Sequence, residues 1–347
     1  MNRCFALYRL PFAQTYTEVV QTEGHVEQFD SCTALNGRSG FVVAPFQVSP
    51  SCPILLIRPD HISEHPIEEV ATVEEAVSSF QLHRDRYATD FAAFHAQLEA
   101  GTFRKIVLAR SATLSPNRPI APKRLFMLAC RRYPRLFVAL VALPNGHYWL
   151  TATPEILLEG IGSDWRTIAL AGTMQLQDDE LQGEGETMRW SIKNIQEQHY
   201  VATYIADTLS RMRLSFHEEG PRTVRAANLV HLRSDFTFTL PDASRIGDLL
   251  HALHPTPAVC GLPREDTFRF INTHEHTDRQ YYSGFMGPMN LNSPLSTHLY
   301  VSLRCMQICP DAYRLFAGGG LLKDSNEESE WQETEAKMQT MKSLLGI

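Results

Sequence analysis

The 347-residue sequence has no long apolar run, no surplus of positive charge and no paired cysteine motif. Nothing in it approaches the ~20 apolar residues of a membrane-spanning helix. The opening MNRCFALYRLPF is broken by Arg9, and its apolar run is too short for a signal peptide. Lys and Arg total 32 against 39 Asp and Glu, a formal net charge of −7. A nucleic-acid backbone requires concentrated positive charge that this chain does not show, so nucleic acid is excluded as the expected partner. An anionic small molecule would have to be met by a local positive site. The 7 cysteines (Cys4, Cys32, Cys52, Cys130, Cys260, Cys305 and Cys309) are odd in number and scattered, without a CxxC pair. That argues against both a disulfide framework and a zinc site, and the expected location is the cytoplasm. No GxGxxG follows a strand pattern and no GxxxxGK[ST] occurs, so neither phosphate-binding fingerprint is present. No repeat and no Pro/Ser/Gly linker divides the chain, which reads as one domain over 1–347.

What is present is an ordinary apolar fraction of 44%, enough for a sizeable core. Short apolar runs punctuated by Gly and Pro fill residues 1–60 and predict strands. Residues 67–100, rich in Glu, Ala and Gln, predict a helix. FRKIVLARSATL predicts a strand and residues 121–132 a helix with Pro122 near its start. LFVALVAL, PNG and HYWLTAT form a hairpin pattern. TPEILLEGI and WRTIALAGT continue in extended form, and residues 184–213 predict one long helix. ASRIGDLLHAL predicts a short helix that stops before Pro255. HLYVSLRCMQI, CPDA and YRLFAG form a second hairpin pattern. Ser325, with Glu328 three residues on, predicts the capping box of a last helix. Strict βαβ alternation is absent, so the expected class is α+β, with large antiparallel sheets and helices packed outside.

Several polar residues stand where apolar ones are expected. Lys105 falls in line with Phe103, Val107 and Ala109 on one face of FRKIVLAR. It is either a stem covering apolar surface with its head in water, or a desolvated amine able to act as a base. Glu155, after a strand and Pro154, is either a solvated residue at a kink or a buried carboxyl that keeps its proton. Glu197 shares a helix face with Trp190, Asn194, Val201 and Tyr204. A carboxylate in that company needs a partner or a cation. Glu330, Glu333 and Lys337 share one face of the last helix. They are either a salt-bridged surface or a pair of oxygen ligands for Mg²⁺ beside a cation for substrate. Gly318, Gly319 and Gly320 read as a turn whose N–H groups can approach an anion. Arg304, inside an apolar strand, suits a carboxylate. His274 and His276 lack a third ligand and are read as structural; Cys305 and Cys309 are read as packing residues.

Together these stretches resemble the chorismate-utilising enzymes, and within them the isochorismate synthases. The match runs in order through FRKIVLAR, TATPEILL, IALAGT, KNIQEQH, LLHALHPTPAVCGLP, DRQYYSGFMG, VSLRC, FAGGGL and SEWQETEAKM. It spans residues 101–347, with 1–100 a variable N-terminal part. The resemblance implies an α+β fold with a two-sheet core. Relatives that add water to chorismate carry lysine at the Lys105 position, whereas anthranilate and aminodeoxychorismate synthases carry glutamine. The latter often have lysine where this chain has Ala171. The resemblance further implies Lys105 as the base for water and Glu155 as the acid for the departing hydroxyl. It implies Glu197, Glu330 and Glu333 around Mg²⁺, with Arg304, Lys337 and Gly318–Gly320 on the substrate carboxylates. Thr173 and His254 would line the ring pocket.

The chain departs from the family pattern at GTMQLQ, at KNIQEQ, where Gln198 replaces a histidine, and at AGGG. None of these removes an expected catalytic or metal group. The expected product is isochorismate, feeding menaquinone, made by a monomer. A salicylate synthase, a siderophore-pathway enzyme and a non-catalytic chorismate-binding protein are the alternatives.

Overall fold

Runs such as GFVVA, ILLI and FVALVA are apolar at nearly every position. That is the composition of strands covered on both faces. The computed structural model describes residues 4–73, 77–175, 189–226, 229–291 and 296–347. In chain order the strands begin with β1 (Cys4–Arg9), β2 (Thr15–Gln21), β3 (Glu27–Phe29), β4 (Gly40–Ala44), β5 (Ile54–Ile57), β6 (His61–Pro66) and β7 (Val77–Gln81). Helix α1 (Arg84–Glu99), β8 (Lys105–Pro116), α2 (Pro122–Arg132), β9 (Phe137–Ala142), β10 (Tyr148–Thr153), β11 (Ile156–Ile161) and β12 (Asp164–Gln175) follow. Next come α3 (Ile192–Arg211), β13 (Phe216–Ala226), β14 (Leu229–Thr239), α4 (Ile246–Leu253), β15 (Gly261–Leu262) and α5 (Arg264–His274). The chain ends with β16 (Phe285–Met289), β17 (Ser296–Val301), β18 (Cys305–Ile308), β19 (Tyr313–Leu321) and α6 (Glu327–Lys342).

The strands form two antiparallel sheets. A 10-stranded sheet runs β15-β8-β19-β18-β10-β9-β1-β2-β6, with β7 also on β8, and a 9-stranded sheet runs β13-β14-β12-β11-β17-β16-β4-β5-β3. They pack face to face through a cluster that includes Tyr8, Phe41, Phe137, Trp149, Met286, Tyr300 and Phe316. Phe137 and Tyr300 stack across it at 4.3 Å between ring centroids. Helices α3 and α4 cover the outer face of the second sheet, and α2 and the end of α6 cover that of the first. The class is α+β, as expected, and the N-terminal strands contribute to both sheets.

Five local expectations are corrected. Among the described residues of 67–100, only 84–99 are helical, while β7 pairs antiparallel with β8. An open strand edge there outweighs the helix-forming composition. The long helix starts at Ile192 rather than 184, and residues 184–188 lie outside the described residues. Trp190 therefore precedes the helix, its indole donating to Thr223 Oγ1 at 2.9 Å. Asn326, not Ser325, caps α6, its side chain accepting from the N–H groups of Glu328 and Ser329. The Ser325 hydroxyl instead accepts from Leu322 N–H at 3.0 Å. Gly318–Gly320 lie inside β19, paired with Ala109, Leu108 and Val107, and are not a turn. HLYVSLRCMQI is two strands, β17 and β18, in different sheets.

Helix α6 is anchored from beneath by β8. Arg110 donates from Nε to Thr334 Oγ1 at 2.6 Å, ion-pairs with Glu335 and lies 3.5 Å over the Trp331 ring. Arg84 lies 4.6 Å from the same ring. Breaking a buried ion pair leaves an uncompensated partner. Arg110→Ala is therefore expected to lower unfolding stability by ~3 kcal/mol. Urea denaturation measures it, and a loss below ~1 kcal/mol would show that the anchor contributes little.

Candidate active site

Two chain segments leave one sheet and enter the other side by side. Between β10 and β11, Pro154 has no N–H to continue the ladder, and the next residue is Glu155. Between β17 and β18, Arg304 turns the chain at φ 43°, a left-handed backbone conformation that a long side chain adopts only under constraint. The crossings are tied together. Val301 N–H donates to Glu155 O at 2.9 Å, Ala152 N–H to Arg304 O at 3.1 Å, and Thr151 Oγ1 to Leu303 O at 2.7 Å. This fixes the acid and the guanidinium relative to each other.

Lys105, the first residue of β8, has its side chain 1% exposed, with Nζ 3.7 Å from Glu197 Oε2 of α3. Its strand mates Ile106 and Leu108 point outward into the cluster with α1 and α5, as does Phe103 from before the strand. Strand alternation therefore turns Lys105 and Val107 inward. The glycines of β19 make room for this. A Cβ on Gly320 would sit 2.7 Å from Glu197 Oε2 and 2.9 Å from Lys105 Cε, and one on Gly318 would sit 2.7 Å from the Tyr282 hydroxyl.

Lys105, Glu155, Thr173, Glu197, Arg304, Gly318, Gly320, Glu333 and Lys337 all line one cavity between the sheets. Its free volume is about 70 Å³, small for a ligand site (about 300–1,000 Å³), because long charged side chains extend into it. Burial dominates its electrostatics. It pushes the Glu155 carboxyl up to about 7 against the opposing pull of Lys105, Arg304 and Lys337. It pulls the Lys105 ammonium below its ordinary value, against the support of Glu197 and Glu155. It also lowers the Arg304 guanidinium to about 10. Burial would raise Glu333, but Lys337 and Lys193 outweigh it and hold that carboxyl below the usual range.

Three expected residues do not line the cavity. His254 is buried edge-on to Phe285, ring centroids 5.0 Å apart. Gly319 and Glu330 are also absent from the lining, though each neighbours a residue that is part of it. Three residues escaped sequence reasoning. His231 Nε2 accepts from Arg304 Nη2 at 2.7 Å, and its Nδ1 lies 3.0 Å from Gly172 O. Guanidinium only donates and a carbonyl only accepts, so the tautomer is fixed with the proton on Nδ1. The signal was there, since His231 interrupts the apolar NLVHL as Lys105 interrupts its own strand. Lys193 stands four residues before Glu197, the spacing of a helical ion pair. Tyr282 carried no pattern that set it apart. Gln198 faces the second sheet, donating to Ala169 O and Ser234 Oγ at 3.2 Å, so this departure from the family pattern lies outside the cavity.

Glu197, Glu330 and Glu333 offer the oxygen donors that Mg²⁺ takes. Glu330 Oε2 is buried without a hydrogen-bond partner. A Cβ on Gly319 would lie 3.1 Å from it and 4.0 Å from Glu333 Oε1, so both helix carboxylates point at the same glycine and the donor set fits. In this arrangement lysines hold the oxygens. Lys193 ion-pairs with Glu330 and lies 3.5 Å from Glu197 Oε1, and Lys337 lies 2.6 Å from Glu333 Oε1. Among the described residues no three such groups close around one point.

A second hollow, about 700 Å³, is lined by Cys52, His147, Glu275, His276, Arg279 and Arg314, among others. Part of its charge is paired already. Glu275 pairs with Arg279, and His276 with Asp90.

The profile described as chorismate binding enzyme matches residues 58–346. The isochorismate synthase MenF of Escherichia coli is 31% identical over 247 residues, 71% of this chain and 56% of that protein. The isochorismate synthase EntC of the same organism is 28% identical over 246 residues, 70% of this chain and 62% of that protein. The chain thus aligns with about three-fifths of the length of these relatives. The solved structure of MenF, the menaquinone-specific isochorismate synthase, superposes with a TM-score of 0.84. The superposition covers 99% of this chain and 88% of that one at 23% identity, which speaks for the fold.

The raised carboxyl can be measured directly. In protein labelled with ¹³C at glutamate side chains, Glu155, assigned by its loss in Glu155→Gln, is expected to titrate near 7. A midpoint at the ordinary 4.5 would mean that the carboxyl is solvated.

Proposed function

The chain belongs to the chorismate-binding enzymes, and on that premise we propose that it is an isochorismate synthase, converting chorismate to isochorismate by water attack at C2 with loss of the C4 hydroxyl. One observation carries the reading. Lys105 and Glu155 face one cavity, and burial shifts them in opposite directions, the lysine toward the free amine and the carboxyl toward the acid. Those are the protonation states a base and an acid must start from.

In this mechanism Lys105 takes a proton from the water whose oxygen bonds to C2. Glu155 gives its proton to the C4 hydroxyl, which departs as water while the ring double bonds shift. Arg304, held by His231, and Lys337, lying 2.9 Å from Gly318 O, grip the substrate carboxylates. Thr173, on the cavity wall, borders the ring, and the glycine strand leaves room for it. Glu197, Glu330 and Glu333 would hold Mg²⁺, which when bound supplies positive charge for a substrate carboxylate. Ala171 lines the cavity, so the lysine typical of aminodeoxychorismate synthases is missing from that wall. We assign the product to menaquinone formation, following the MenF relatives. The location proposed is the cytoplasm, in keeping with seven free thiols.

Purified protein incubated with chorismate and MgCl₂ is expected to yield isochorismate on chromatography. Salicylate with pyruvate, or no turnover, would contradict the proposal. Lys105→Ala and Glu155→Gln are each expected to lower kcat by about 10²–10⁴-fold with the fold intact by circular dichroism. Because Glu155 must hold its proton, kcat/KM is expected to fall as pH rises through about 7. A flat profile between pH 6 and pH 9 would remove Glu155 from the acid role.

A further inference from the structure

Lys193 is a charged group that the proposed reaction leaves without a task. It stands in the first turn of α3 and does not line the cavity. Its Nζ reaches across to α6 and ion-pairs with Glu330, while lying 3.5 Å from Glu197 Oε1 one turn along its own helix. It is the tie between the carboxylates of two helices. The other oxygen of Glu330 is left buried and partnerless. Leaving aside Lys105, which the proposed reaction needs as a free amine, Glu197, Glu330 and Glu333 face two ammonium groups, on Lys193 and Lys337. Much of the acidic charge is therefore offset from within. A dication entering this set needs oxygen lone pairs that Lys193 already occupies.

We propose that Lys193 is a resident counter-cation: it holds Glu197 and Glu330 together when no metal is bound, and competes with the divalent ion for their oxygens, so that it sets the metal affinity. The inference rests on the metal reading above. It makes Lys193 a positioning residue, assembling the donors at the cost of weakening their hold on the ion. Two sites that share ligand atoms are coupled, and the coupling is reciprocal.

The test is calorimetric titration of the full chain with MgCl₂, without substrate, beside melting curves in EDTA. Lys193→Met and Lys193→Gln are expected to bind Mg²⁺ about tenfold more tightly than the wild type. They should melt lower in EDTA and recover with MgCl₂, while Lys193→Arg keeps the wild-type affinity. Should the Met variant fail to fold, the Gln variant, which retains a donor toward Glu330, decides. Unchanged or weaker binding by a folded neutral variant would overturn the inference while leaving the metal reading in place. No binding by the wild type or any variant would remove the metal reading, and this inference with it.

Discussion

Removal of water from a set of charges is the constraint on which the site depends. Lys105, Glu155, Arg304 and Glu330 are each more than nine-tenths buried. Ions so placed keep their charge only when partners compensate the lost hydration. The loss of solvent therefore pushes each group toward its neutral form, and the neighbouring charges offset that push only in part. Glu197 lies close enough to pair with Lys105, yet desolvation still pulls the amine down. Glu155 sees three cations and is nonetheless pushed up to about 7. The same burial that makes a lysine a usable base makes a carboxyl a usable acid.

The fold supplies this dryness through its two sheets. Glu155 and Arg304 lie where strands pass from one sheet to the other, and hydrogen bonds between the two crossings lock them together. Lys105 comes from the strand beside the glycine run, and Glu333 and Lys337 from a helix fixed over that run by Trp331 and Arg110. No single element carries the site. Its precision comes from rigid strands and one anchored helix, as a pre-organised site requires.

Much of this was legible in the sequence. A lysine or carboxylate inside an apolar strand is costly unless partnered, and that rule picked out Lys105, Glu155 and Arg304 one by one. The helical spacing of Glu330, Glu333 and Lys337 put them on one face, which the structure turns toward the glycine strand. What stayed hidden depended on tertiary partners. The break at Arg304 is written in backbone conformation rather than in composition, so VSLRC read as one strand. The edge of β8 draws residues 77–81 into a strand that their neighbourhood did not suggest. The glycines read as a turn because their lack of a Cβ matters only once Glu197 and Lys105 are known to press against them. His254 followed the family motif, but its ring packs edge-on against Phe285 and does not line the cavity.

The central claim is that a buried lysine activates water against one ring carbon while a buried carboxyl expels hydroxyl from another. Turnover of chorismate in H₂¹⁸O tests it most directly, with the product examined by mass spectrometry and ¹³C shifts. The account predicts one ¹⁸O per isochorismate, bonded to C2, with none elsewhere on the ring. Isochorismate formed without label would mean that the hydroxyl migrates within the substrate, and would contradict the roles given to Lys105 and Glu155.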